Sequence, residues 1–142
     1  MTRRIGIAAI LGAAFILPGA APGAQPPAPE SYRLSVPPER MRRLVETREG
    51  AIVSDKVTVE GRPVGYMYRA EPHNPLDSGW RFLAGDEDDA FMADAANHAV
   101  FAVNTIANHD PAIIPYLDAP VGSAFFREGG RFVPDPQGAP GS

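Results

Sequence analysis

Asp86, Glu87, Asp88 and Asp89 follow Gly85 without interruption, and carboxylates held together can act as acid and base or collect a cation. Adjacent side chains diverge, however, and a calcium loop needs carboxylates at alternate positions if they are to converge. His73, His98 and His109 each sit in a turn-like context beside an asparagine, and none has a partner at the helical spacing of a zinc site. A metal site from His98, His109 and Asp110 would depend on the fold bringing them together. Ser123 lies between Gly122 and Ala124 and lacks the glycine-flanked elbow that exposes an esterase serine. The sequence has no cysteine, which removes thiolate nucleophiles and metal sites, disulfides and lipid attachment at a lipobox in one step. No glycine-rich phosphate loop occurs. The expectation is a binding protein rather than an enzyme, with no catalytic residues, no metal and no cofactor.

The acids are joined to the only tryptophan. Ser78, Gly79, Trp80, Arg81, Phe82, Leu83, Ala84 and Gly85 lead straight into them, so a core anchor and a charged rim lie within twelve residues. Trp80, Phe82 and Ala84 alternate with Arg81 and Leu83, the period of a strand. A buried indole there removes on the order of 200 Å² from water. Asp86 reads as a helix cap, with the next three acids in the first turn, where the helix dipole favours negative charge. Four neighbouring carboxylates also repel one another, so some should face solvent or a partner. The candidate contact residues are Trp80, Arg81, Asp86, Glu87, Asp88 and Asp89.

The amino terminus must be set aside first. Arg3 and Arg4 precede an apolar run from Ile5 to Leu17, and Pro18, Gly19 and small residues follow through Ala24. This is the layout of a signal peptide over residues 1–24. About thirteen apolar residues fall short of the roughly twenty that span a bilayer, so no stable membrane insertion is expected after cleavage. Residues 25–31 are a proline-rich tether and the domain starts near Tyr32. Removing Arg3 and Arg4 leaves 11 basic against 17 acidic residues, a formal charge of −6, which disfavours nucleic acid as a partner.

The remaining patterns predict one small α+β domain over 32–133, mostly an antiparallel sheet with two or three short helices. An amphipathic helix is expected from Pro38 to Thr47, its arginines on a solvated face. Ala51 to Val59 reads as a strand paired in a hairpin with Val64 to Arg69, leaving Asp55 either re-aimed by a bulge or at the wet end. Ala99 to Ala107 reads as a buried strand, Asp110 and Pro111 as a helix start, and Val121 to Arg127 with Arg131 to Val133 as a closing hairpin. The tail 134–142, rich in proline, glycine and small residues, should be disordered.

Several phrases in fixed order resemble one family. They are Ile52, Val53, Ser54 with Val64, Gly65, Tyr66, Met67, Tyr68, Arg69; Asp77, Ser78, Gly79, Trp80, Arg81, Phe82 with Ala84, Gly85, Asp86, Glu87, Asp88; Asn104, Thr105, Ile106, Ala107, Asn108 with Asp110, Pro111, Ile113, Ile114, Pro115; and Ala119, Pro120, Val121, Gly122, Ser123, Ala124. From Ala51 to Val133 the chain resembles the bacterial immunity protein 33 family, also labelled domain of unknown function 2185. The resemblance implies a small α+β domain that neutralises a protein toxin by binding it. An exported member, periplasmic or secreted, would oppose a toxin acting on the cell envelope. The rival expectation is a periplasmic binding domain for another ligand, with no toxin partner.

Overall fold

The computed structural model describes residues 32–140. The expected signal peptide and tether, 1–31, lie outside the described residues. A six-stranded sheet organises the domain: β1 (Gly50–Ser54), β2 (Tyr66–Arg69), β3 (Asp77–Leu83), β4 (His98–Ala102), β5 (Ala124–Glu128) and β6 (Arg131–Pro134). Their order is β4-β1-β3-β2-β5-β6, and every pair is antiparallel except β1 with β3. Three short helices accompany it, α1 (Asp55–Thr58), α2 (Asp89–Ala93) and α3 (Val103–His109), with 3-10 turns at Pro38–Arg40, Ala95–Asn97 and Pro111–Tyr116. The α+β domain expected from the sequence is present.

Strand β3 is central and buried at all seven positions. One face of the sheet carries Ala51, Val53, Met67, Trp80, Phe82 and Phe132, packed under α3 and the following 3-10 turn through Val103, Ile106, Ala107 and Ile113. Trp80 stacks nearly parallel to Phe82, and its indole Nε1–H donates to the Leu117 carbonyl at 3.1 Å. The other face carries Ile52, Tyr66, Tyr68 and Leu83, packed with Met92 of α2 and with Ala139. Burying apolar side chains on both faces is what lets a domain without disulfides hold together.

Gly79 makes a break in β3 that the fold uses. Its φ of 89° belongs to glycine, and a Cβ there would stand 2.3 Å from the Ala70 carbonyl oxygen. Between the partners Gly50 and Ile52 of β1, strand β3 runs from Asp77 to Arg81, so it carries extra residues in a bulge.

Several sequence expectations are corrected. The helix over Pro38–Thr47 is only the three-residue turn Pro38–Arg40, followed by irregular chain. That chain is fastened to α3 by side-chain amides. Asn104 and Asn108 both donate to the Arg42 carbonyl at 2.8 Å, while their oxygens accept from the Leu44, Val45 and Arg42 amides. The strand from Ala51 stops at Ser54, whose hydroxyl accepts from the Lys56 amide and caps α1. The chain therefore leaves the sheet before Val59. No β1–β2 hairpin forms, and β2 pairs with β3 and β5 instead. Asp55 stands just past the end of the strand, at the first position of α1, and no bulge re-aims it. The strand from Ala99 yields to α3 at Val103, because Val103, Ile106 and Ala107 recur at helical spacing and bury together. The closing hairpin of β5 and β6 and the Asp110 cap, accepting from the Ala112 amide, are as expected. The described part of the tail is ordered by contact: the Asp135 and Ala139 amides donate to the Ala124 and Gly122 carbonyls, and Ala139 is buried.

Candidate functional site

The six residues singled out in the sequence split into two groups. Trp80, Arg81 and Glu87 are interior, at 1 %, 0 % and 2 % exposure. Asp86 and Asp88 are exposed on the loop between β3 and α2, and Asp89 is exposed at the first position of α2. The physical reason lies in what each buried polar group finds inside. Arg81 meets Asp77 in two parallel bonds, Nη1 to Oδ1 at 2.8 Å and Nη2 to Oδ2 at 3.0 Å. Glu87 folds back to accept the Ala84 and Gly85 amides at 2.7 and 2.9 Å, closing the loop.

The exposed acids also have local roles. Asp86 pairs with Arg62 at 2.8 Å and Lys56 at 3.2 Å, and the bonds from these two cations hold its carboxyl below the usual range. It is not the helix cap expected of it. Asp88 takes that position, accepting from the Phe91 amide at 2.8 Å. Asp89, in the first turn of α2, has no ion pair or hydrogen bond to its side chain among the described residues. The loop is thus closed by its own hydrogen bonds, and Asp89 beside it turns an uncommitted carboxylate outward.

A second titratable group lies close by. Asp55 is half buried, and burial together with the charges of Asp94 and Glu60 pushes its carboxyl up to about 6.

His98 and His109 are packed into the structure where the sequence left them open. His109 is buried, its Nδ1 accepting from the Ser35 amide at 2.9 Å and its Nε2 facing the Arg62 carbonyl at 2.9 Å. His98 sits against the Met92 sulfur at 3.4 Å, and burial holds its pKa below the ordinary value. Asp110 pairs with Arg127 at 2.6 Å and accepts from the Val64 amide at 3.0 Å. Among the described residues no three such groups are placed to hold a metal. No described helix is long and apolar enough to cross a membrane.

Sequence reasoning missed the amide clamp of Asn104 and Asn108. Its signal was present: two asparagines four apart share one helix face, and each side chain offers both a donor and an acceptor.

No curated protein and no solved structure matches the chain. Residues 51–134, more than half of the chain, match the model of the immunity protein Imm33 domain. That span runs from β1 to the end of β6 and contains the bulge at Gly79, the buried Asp77–Arg81 pair, the acidic loop and the Asn104–Asn108 helix, so the chain belongs to the Imm33 immunity protein family.

Proposed function

We propose that this chain neutralises a cognate protein toxin by binding it in the cell envelope, with the exposed loop of Asp86, Asp88 and Asp89 as part of the contact. The match to the immunity family over 51–134 carries this reading. The layout of residues 1–24 supports export. An antidote outside the cytoplasm opposes a toxin that works on the wall or inner membrane.

The loop suits recognition of a basic surface. Its backbone is fixed by the buried Glu87 and the Asp88 cap, so few degrees of freedom are lost on docking. Exposed charge of one sign mainly speeds encounter and selects the partner. Replacing Asp86, Asp88 and Asp89 by Asn keeps the cap, since asparagine caps as well as aspartate. The triple variant should associate with the toxin about tenfold more slowly at low salt, with little change in dissociation. Stopped-flow association kinetics at two ionic strengths test it; an unchanged rate in a folded variant rules the loop out as the contact.

A further inference from the structure

At the opposite end of the sheet the charge reverses. The register pairs Ser54 with His98 near the acidic loop and Gly50 with Ala102 at the far end. There, a surface cavity of about 350 Å³ is lined by Arg42, Arg43 and Arg48 of the irregular segment and by Ala102 and Asn104 where β4 meets α3. Among the described residues none of these three guanidiniums forms an ion pair. Among the described residues Glu46 and Glu49 of the same segment form no ion pair with them: Glu49 accepts from the Thr47 hydroxyl at 3.3 Å, and Glu46 is exposed.

The main chain from Arg42 to Val45 is held in place. Asn104 and Asn108 take up the main-chain groups of Arg42, Leu44 and Val45, replacing the backbone pairing that an irregular segment lacks. Three grouped guanidiniums without ion-pair partners repel one another, and a bound anion relieves that repulsion. Guanidinium suits paired oxygens, the geometry of a carboxylate.

The surroundings favour a polypeptide over a bare anion. Strand β4 is an edge of the sheet. Val103 donates to the Glu49 carbonyl and Phe101 pairs with Ala51, so antiparallel alternation turns the main-chain groups of Val100 away from β1. Val100 and Leu44 are exposed apolar side chains, at 47 % and 41 %.

We propose that this groove docks an extended, acidic segment of a partner protein, its carboxylates on Arg42, Arg43 and Arg48 and its main chain along the outer edge of β4 at Val100. The inference rests on the reading of the chain as a protein binder and adds a second contact of opposite sign. It also predicts the partner's pattern: a basic patch for the Asp86 loop and, about a strand's length away, an acidic one.

The test uses the purified full chain and a dye-labelled peptide of alternating glutamate and valine. Binding is followed by fluorescence anisotropy, and amide shifts are mapped by NMR. The glutamate peptide is expected to bind with shifts at Met41 to Arg48 and at Val100, about tenfold more weakly to Arg43→Gln/Arg48→Gln, and to be displaced by salt. A lysine-for-glutamate peptide should not bind. The two arginine side chains are exposed and outside the amide clamp, so the variant keeps its fold. Equal binding to the variant, shifts elsewhere, or capture of phosphatidylglycerol vesicles without peptide binding overturns the proposal. A toxin complex unaffected by Arg43→Gln/Arg48→Gln but slowed in the Asp86, Asp88 and Asp89 variant would defeat this groove and leave the acidic-loop reading standing.

Discussion

Asp77 and Arg81 lie four residues apart on β3 and meet in a doubly hydrogen-bonded ion pair with both side chains fully buried. The bulge at Gly79 between them is what gives a strand this local pairing, and Asp77 also accepts from the His73 and Gly79 amides. Trp80 sits inside the same turn of chain and faces the opposite side of the sheet. One short phrase therefore fixes the core anchor, a buried charge pair and the start of the strand that ends at the acidic loop.

Removing one partner of this pair leaves a buried charge without its mate. Asp77→Asn should destabilise the domain by about 3 to 5 kcal/mol in urea unfolding. Asp77→Asn/Arg81→Met should cost clearly less than the sum of the single changes, because the double variant buries no orphan charge. The pH dependence has a definite sign. Burial raises the Asp77 carboxyl, but the bonds from Arg81 and the two amides outweigh it and the folded value is lowered. Its stabilisation is complete above the unfolded value and disappears as pH falls through the folded one. The Asn variant should lack that acid-side loss.

Asp55 has the opposite sign. With its folded carboxyl pushed up to about 6 from 3.8, the folded state binds the proton more tightly than the unfolded chain. Its contribution to stability therefore falls as pH rises from about 3.8 to about 6. Asp55→Asn should raise Tm at neutral pH, and the gap to the wild type should close as the solution is acidified through that window. Thermal unfolding of both proteins across this range checks it; an unchanged gap would show that burial and the charges of Asp94 and Glu60 do not raise the carboxyl.

The clamp on α3 predicts a local effect. Asn108→Ala leaves the Arg42 amide without its acceptor and removes a donor from its carbonyl, costing about 1 to 3 kcal/mol. Asn104→Ala should cost less globally but speed hydrogen exchange at the Leu44 and Val45 amides, which bond to its oxygen. Exchange measured by NMR separates the two.

The sequence revealed some of this and hid the rest for identifiable reasons. The Trp80 strand was legible because alternation on a half-apolar strand is a period-two signal. Likewise, Glu128, Gly129 and Gly130 announced the closing hairpin. The β1–β2 hairpin was misread because β-branched Val57, Thr58 and Val59 look like strand, while the deciding event is a single hydroxyl, Ser54, capping a four-residue helix. Pro38 to Thr47 has helical spacing, yet beyond the Pro38–Arg40 turn its chain is irregular, held at Arg42, Leu44 and Val45 by the amides of Asn104 and Asn108, more than fifty residues away. Of the acidic run, exposure could be foreseen but not its division of labour. Only the fold turns Glu87 inward to close the loop and moves the cap from Asp86 to Asp88. Trp80 and Arg81 were legible as important and illegible as buried, since both types serve equally at cores and at interfaces.

The central claim is that this chain protects by forming a complex. The most direct measurement is to identify the protein that co-purifies with this chain, produce it in the cell envelope with and without the chain, follow growth and isolate both proteins. Restored growth together with a stable complex of the two unmodified chains is the predicted result. Absence of protection, or protection in which the toxin is chemically altered and no complex forms, would contradict it.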